Sequence, residues 1–207
     1  MGGVNQFTEI DAVTIDGHGT LLALADPIPA LLALLPEHSP ASIEAAFRGE
    51  VDYYVAHSAE GRDEASLSRL RDACTSVFND ALGAGLTTEQ YIGALEFELL
   101  PGVHETLAAL RARGLALAVV ANWDFSLHEH LGRHALRRWF DTVVTSAETG
   151  VKKPEPEPFR VALERLGVEP HRAVHVGDHP AHDEVGARGV GMRFLPAPLA
   201  TAFSAWG

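Results

Sequence analysis

Residues 12–20 read Ala12-Val13-Thr14-Ile15-Asp16-Gly17-His18-Gly19-Thr20. A short apolar run that ends at a carboxylate and two glycines predicts a buried strand followed by a tight turn. Such a turn exposes the Asp16 side chain and offers main-chain N–H groups to an anion. On its own the pattern is weak, because a strand-terminal Asp before glycine is more often a plain turn residue.

Three later segments repeat the arrangement of an apolar run that ends at a polar residue. They are residues 115–121 before Asn122, residues 142–145 before Ser146, and residues 173–176 before Gly177-Asp178. Helical patterns such as residues 102–113 alternate with these runs, which predicts an α/β fold with a parallel sheet. Open sheets of this kind bind ligands at the carboxyl ends of their strands. We therefore expect Asp16, Asn122 and Asp178 along one edge.

The sequence between the first strand and Pro101 has a different character. It contains amphipathic stretches at residues 42–57, 63–82 and 87–96 and no strand pattern, which predicts a small helical bundle. Thr87 and Gln90 have capping-box spacing, and Leu86 and Tyr91 are placed for a hydrophobic staple. A helix is also expected to begin near Pro180 and to run toward Ala187. The predicted domains are a core of residues 1–21 and 99–207 and a helical insertion of residues 22–98.

Composition limits the class of protein. The 207 residues carry a formal charge of -12 and no basic stripe, which argues against a nucleic-acid or anionic-membrane partner. The single cysteine, Cys74, excludes an intrachain disulfide, and cytoplasm is the expected compartment. No targeting segment is expected in Met1–Gln6, and no apolar run is long enough to cross a bilayer. The sequence does not indicate whether the protein is a monomer or an oligomer.

The order of the polar segments is more specific than any one of them. The later segments include Val119-Val120-Ala121-Asn122, Lys152-Lys153-Pro154 and Gly177-Asp178 followed by Asp183. With these motifs the chain resembles the haloacid dehalogenase-like superfamily, which has a Rossmann-like parallel sheet core and an inserted α-helical cap. In that resemblance Asp16 matches the nucleophile and Thr20 the threonine of the Asp-x-Asp-x-Thr motif. Lys153 matches the third-motif lysine, and Asp178 and Asp183 match the acidic pair of the fourth motif.

The resemblance implies a Mg²⁺-dependent phosphatase of a small phosphorylated metabolite, in which Asp16 forms an aspartyl phosphate. Asp16, the main-chain carbonyl of His18 and Asp178 would hold Mg²⁺, with Asp183 binding it directly or through water. Lys153 would offset the negative charge around Asp16. The implied catalytic residues are Asp16, His18 and Lys153, and the implied substrate-binding residues are Thr20, Ala121 and Asn122.

Two positions depart from the family pattern. His18 replaces the second aspartate of the first motif, which acts as general acid and base, although an imidazole also transfers protons near neutral pH. Ala121 replaces the Ser or Thr of the second motif, and the lost hydroxyl contact would weaken phosphoryl binding by about 1.5–3 kcal/mol.

These departures keep two other functions open. One is a 2-haloacid dehalogenase, a class that also lacks the second acid but works without the metal. The other is a degenerate member that binds a ligand without catalysis.

Individual residues also have plainer interpretations. Asp178 and Asp183 can be helix N-terminal carboxylates, and Lys152 is an alternative to Lys153, although Pro154 favours Lys153. The chain has no Cys-x-x-Cys or His-Glu-x-x-His arrangement for zinc, so its neighbouring histidines are attributed to chance. Those histidines are His128, His130, His175, His179 and His182. The insertion residues Tyr53, Tyr54, His57 and Arg62 could face a substrate, but helical spacing makes tyrosine positions more often packing contacts, so none of them is counted as a site residue.

Overall fold

A computed structural model describes residues 9–204 of the protein. The stretch Met1–Gln6, where no targeting segment is expected, lies outside the described residues. Across residues 9–204, no helix combines the length and the apolar character that a bilayer crossing requires.

A parallel sheet forms the centre of the fold. The described strands are β1 (Ala12–Ile15), β2 (Leu22–Leu24), β3 (Phe97–Leu99), β4 (Ala116–Ala121), β5 (Thr142–Thr145), β6 (Ala173–Gly177) and β7 (Arg193–Pro196). Five of them form the parallel sheet, in the order β5-β4-β1-β6-β7. Strands β1, β4, β5 and β6 are buried throughout or nearly so, as their near-continuous apolar runs require. The α/β fold with a parallel sheet is therefore confirmed, and β7 is a strand that the sequence did not reveal.

Helices cover both faces of this sheet. The described α-helices, including those that do not pack on the sheet, are α1 (Ile28–Leu34), α2 (Pro40–His57), α3 (Glu64–Leu82), α4 (Thr88–Gly93), α5 (Val103–Ala112), α6 (Leu127–Arg133), α7 (Ser146–Thr149), α8 (Glu157–Leu166), α9 (Val185–Gly189) and α10 (Leu199–Ala202). Leu107 of α5 and Leu131 of α6 pack with Val13 and Ile15 on one face. Phe159 of α8 belongs to the core on the opposite face. The two cores make a three-layer α/β/α domain.

Helices α1 to α4 lie between β2 and β3 and share a core of their own, which includes Leu31, Ile43, Phe78 and Tyr91. The expectation of no strands in residues 22–98 was wrong at both ends of that segment, because β2 and β3 pair antiparallel with Leu22 opposite Leu99. Each of these strands has only three residues, too few to show a periodic pattern. The domain boundary at residues 22–98 stays a prediction.

Local signals located several helix ends. The Thr87–Gln90 capping box is present, although α4 ends at Gly93 instead of continuing to residue 96. The helix expected from Pro180 is a single π-helical turn, Pro180–Glu184, which is followed by the short helix α9. That turn buries the side chain of Asp183 beneath the end of β6.

Candidate active site

Three carboxylates meet at the carboxyl edge of the sheet. Asp16 follows β1, Asp178 follows β6, and Asp183 comes from the π-helical turn. Their carboxylate oxygens lie within 4.8 Å of one another. The structure thus brings together residues that are more than 160 positions apart in the chain, as the parallel topology predicted.

Lys153 lies among these acidic groups and is 3% exposed. Its Nζ donates hydrogen bonds to Asp16 Oδ1 at 2.5 Å, Asp183 Oδ1 at 2.6 Å and the Val120 carbonyl at 2.8 Å. These three bonds use every hydrogen of the ammonium group. Lys152 instead donates to the Val55 carbonyl of α2, so the structure places Lys153 and not its neighbour beside Asp16.

Burial and neighbouring charges give these groups different pKa values. Burial raises the pKa of Asp16 to about 6, and the opposing effect of Lys153 only partly offsets it. Burial also acts to raise the pKa of Asp183, but His175 and Lys153 outweigh it and hold that pKa well below its usual range. Burial disfavours the Lys153 ammonium, yet the two carboxylates raise its pKa above the ordinary value. The lysine is therefore a permanent cation beside a carboxylate that titrates near pH 6.

The donor set suits a hard divalent cation, because carboxylate oxygens are preferred ligands of Mg²⁺. Gly19 has a φ of +75°, and a Cβ at this position would lie 2.0 Å from Asp178 Oδ2. A side chain there would strain the turn and move the Asp178 carboxylate, so this turn favours glycine. The part of His18 in the ligand set, through its main-chain carbonyl, stays a prediction.

The His18 side chain is exposed at the boundary between the sheet edge and β3. Its ring centroid lies 6.4 Å from Phe97 of β3 and 6.4 Å from Trp123. The imidazole is therefore open to solvent on the side away from these two rings. Proton transfer by His18 stays a prediction.

The three residues predicted to bind substrate have different surroundings. The Thr20 hydroxyl is buried and has no hydrogen-bond partner among residues 9–204. Ala121 is 2% exposed, and its methyl carbon is 3.2 Å from the position that a Gly17 Cβ would occupy. The Asn122 amide donates to the Lys153 carbonyl at 3.1 Å and accepts from the Lys153 N–H at 2.7 Å. These placements favour positioning roles at the site, and direct substrate contact stays a prediction for all three.

Two groups near the site were not predicted as functional. The hydroxyl of Tyr54 on α2 lies beside the buried Asp124, whose carboxylate accepts from the Ser126 N–H at 2.7 Å. The Phe125 N–H donates to the Gly61 carbonyl at 2.8 Å, so this segment attaches the insertion to the core. The Asp-x-Ser spacing after β4 indicates a local turn, but its partner on α2 depends on tertiary packing.

The second unpredicted group is His175 in the middle of β6, which hydrogen-bonds Asp183. A polar residue within an otherwise apolar strand was the available sequence signal, because buried polar side chains require partners.

Comparison with known families is consistent with this geometry. A family model described as haloacid dehalogenase-like hydrolase matches residues 10–191. The chain is 32% identical over 201 residues to human haloacid dehalogenase-like hydrolase domain-containing protein 3. This alignment covers 89% of this chain and 80% of the human protein.

Other relatives match over a shorter span. The mouse protein of the same name is 44% identical over 110 residues, covering 53% of this chain and 44% of the mouse protein. Phosphoserine phosphatase of Thermus thermophilus is 43% identical over 98 residues, covering 47% of this chain and 39% of that enzyme. These two alignments therefore span less than half the length of the relatives.

Solved structures share the fold. A HAD phosphatase from Thermococcus onnurineus superposes with a TM-score of 0.64 at 24% identity, covering 96% of this chain and 98% of that one. A 2-haloacid dehalogenase from Pseudomonas syringae superposes with the same TM-score of 0.64 at 24% identity, covering 96% of this chain and 100% of that one. Since a phosphatase and a dehalogenase fit equally well, the fold does not discriminate between the two activities.

Proposed function

This chain belongs to the haloacid dehalogenase-like hydrolases, and we propose that it is a Mg²⁺-dependent phosphatase of a small phosphorylated metabolite, with Asp16 as the nucleophile. The observation that carries the proposal is the buried Asp16 carboxylate, held by Lys153 at 2.5 Å and grouped with Asp178 and Asp183. A carboxylate whose rotation is fixed at a strand end is aligned for attack before the substrate arrives.

The residues divide the chemistry between them. An Asp16 carboxylate oxygen attacks phosphorus, and the bond from phosphorus to the leaving oxygen breaks, which leaves an acyl phosphate on Asp16. The positive charge of Lys153 stabilises the negative charge that builds up beside Asp16. Asp16, Asp178 and Asp183 would hold Mg²⁺, which when bound neutralises and aligns the transferring phosphoryl group. Water then attacks phosphorus, the bond from phosphorus to Asp16 breaks, and inorganic phosphate leaves.

His18 supplies the proton transfers in this scheme. Its exposed ring gives a proton to the leaving oxygen in the first step and takes one from water in the second. Ala121 offers only a methyl group where the family has a hydroxyl, so phosphoryl binding depends more on the positive charge of Lys153 and on the metal. We therefore expect slow turnover with generic aryl phosphates.

The relatives support a phosphatase more than a dehalogenase. The Thermus relative is named a phosphoserine phosphatase, and a relative from Methanothermobacter thermautotrophicus is named a glyceraldehyde 3-phosphate phosphatase. The latter is 38% identical over 102 residues, covering 47% of this chain and 45% of that enzyme. Both are enzymes for small phosphorylated metabolites, and the retained acidic cluster fits a reaction that uses a metal.

The test is phosphate release from p-nitrophenyl phosphate and from a panel of phosphorylated metabolites, with and without Mg²⁺. Asp16→Asn should abolish release, whereas Asp80→Asn, an exposed change on α3, should leave it unchanged. Chelation of Mg²⁺ should stop turnover of the unmodified protein. Equal rates for the unmodified protein and Asp16→Asn would refute the proposal.

One observation favours an alternative, since His18 stands where a phosphatase of this family has its second acid. Halide release from 2-haloacids without Mg²⁺ would identify a dehalogenase. Beryllium fluoride with Mg²⁺ should give an acyl-phosphate mimic on Asp16 and raise the melting temperature if the site is competent. A protein that only binds ligands would show neither halide release nor this stabilisation.

A further inference from the structure

His175 is a polar side chain at a fully buried position, where desolvation is unfavourable. It lies in the middle of β6, is fully buried, and its ring packs edge-on against Phe159 with centroids 5.0 Å apart. An imidazole in such surroundings is tolerated only when its nitrogens are hydrogen-bonded. Both are, since Nδ1 lies 2.8 Å from Thr14 Oγ1 and Nε2 lies 3.1 Å from Asp183 Oδ1.

These partners determine which nitrogen carries the proton. Both Asp183 oxygens act as acceptors, Oδ1 from Lys153 Nζ and Oδ2 from the His179 N–H, so Nε2 is the donor to this carboxylate. Complete burial favours the neutral imidazole, which has a single N–H, so Nδ1 is left as an acceptor. The hydroxyl of Thr14, the residue opposite His175 in the β1–β6 register, must then donate to Nδ1. The pairing of two strands thus selects the tautomer.

The Asp183 carboxylate is fixed by three donors. Oδ1 accepts from Lys153 Nζ at 2.6 Å and from His175 Nε2 at 3.1 Å, which fills both lone pairs of that oxygen. Oδ2 accepts from the His179 N–H at 3.0 Å and keeps one lone pair free. If Asp183 binds Mg²⁺, it would therefore do so through Oδ2. Rotation of the carboxylate would break the hydrogen bond from Lys153.

We propose that His175, held in its Nε2–H form by Thr14, is a positioning residue that orients Asp183 so that Oδ1 binds Lys153 and Oδ2 keeps a lone pair free for a ligand. It acts through Asp183 and Lys153 and does not touch the substrate. This inference rests on the proposed function only in its kinetic consequence, since the tautomer and the carboxylate orientation are properties of the protein itself.

The kinetic test uses two replacements with opposite hydrogen-bonding capacity. His175→Leu removes both bonds, whereas His175→Gln keeps an N–H near the position of Nε2. We expect kcat and the apparent affinity for Mg²⁺ to fall about 10- to 100-fold in His175→Leu, the size usual for partners of metal ligands, with little change in KM. His175→Gln should recover most of both losses. A role in packing alone predicts the opposite order, because leucine suits an apolar strand better than glutamine does.

The second test reads the tautomer directly. Nitrogen-15 NMR should assign the His175 ring by the signals that disappear in His175→Gln, and this ring should carry hydrogen on Nε2 alone in the unmodified protein and become a tautomer mixture in Thr14→Val. A ring protonated on Nδ1 or on both nitrogens at neutral pH would overturn the proposal. So would a folded His175→Leu variant with unchanged Mg²⁺ affinity. If the protein has no phosphatase activity at all, the NMR signal and the Mg²⁺ titration still decide the inference independently of the proposed function.

Discussion

Replacement of the nucleophile should make this protein more stable. Asp16 is 7% exposed and shares Lys153 with Asp183, so one ammonium compensates two buried carboxylates. Asp16→Asn keeps the shape of the side chain and removes one of the two negative charges. We therefore expect the variant to unfold at higher denaturant than the unmodified protein when no metal is bound, in agreement with the general trade-off between stability and function.

The size of the effect follows from the pKa of Asp16, which is about 6 in the folded protein against an ordinary value of 3.8. A carboxyl whose pKa is raised by folding stabilises the fold below pH 3.8, and that stability is lost as the pH rises through about 6. With about 1.4 kcal/mol for each pH unit between the two values, ionised Asp16 lowers the free energy of unfolding by about 3 kcal/mol at neutral pH. Asparagine resembles the protonated form at every pH, so the variant should gain up to this amount at pH 7 and nothing at pH 3.5.

Urea unfolding in EDTA at several pH values measures this difference directly. Asp80→Asn on α3 is the matched control and should change the free energy of unfolding by less than about 0.5 kcal/mol. Added Mg²⁺ should stabilise the unmodified protein more than Asp16→Asn, because the variant has lost a ligand. Destabilisation of Asp16→Asn at pH 7 in EDTA would mean that the bond to Lys153 outweighs the cost of burial, and the reasoning would fail.

Three other substitutions test the site and its attachment to the insertion. Asp178→Asn should weaken Mg²⁺ binding at least about tenfold in isothermal titration while leaving unfolding in EDTA nearly unchanged, since this carboxylate is exposed. Gly19→Ala should lower the free energy of unfolding by about 1–2 kcal/mol, because its φ is +75°. It should also weaken Mg²⁺ binding, because the new Cβ would meet the Asp178 carboxylate; unaltered binding would contradict the close approach. Tyr54→Phe removes the hydroxyl beside the buried Asp124, which keeps its bond from the Ser126 N–H, and should cost about 0.5–1.5 kcal/mol in urea unfolding, whereas Tyr53→Phe on the same helix should cost less than about 0.5 kcal/mol.

The sequence predicted those parts of the molecule that depend on strand ends and chain order. Apolar runs located β1, β4, β5 and β6, and their parallel pairing placed Asp16 and Asp178 at one edge. The proline after Lys153 correctly favoured that lysine over Lys152 as the neighbour of Asp16. These inferences succeed because residues that follow buried parallel strands lie at the same carboxyl edge of the sheet.

Features that depend on register or on distant contacts could not be predicted. β2 and β3 are three residues long each. They exist as strands mainly because they pair with each other, although the whole helical insertion separates them in the sequence. The bond between Thr14 and His175 requires that β1 and β6 pair in one particular register, which no local pattern specifies. Burial of Asp183 likewise follows from the π-helical turn, whereas its proline predicted an ordinary helix start.

The charge balance of the site explains why metal and phosphate would depend on each other in the proposed reaction. Asp16, Asp178 and Asp183 bring three negative charges within 4.8 Å, and Lys153 supplies one positive charge among them. At neutral pH the cluster therefore keeps an excess of about two negative charges, which would repel a phosphate dianion at this distance. A divalent cation cancels that excess, after which the phosphate meets a neutral site instead of a negative one. Since the chain as a whole also carries a formal charge of -12, no long-range attraction replaces this local neutralisation, and the metal should bind before or together with the substrate.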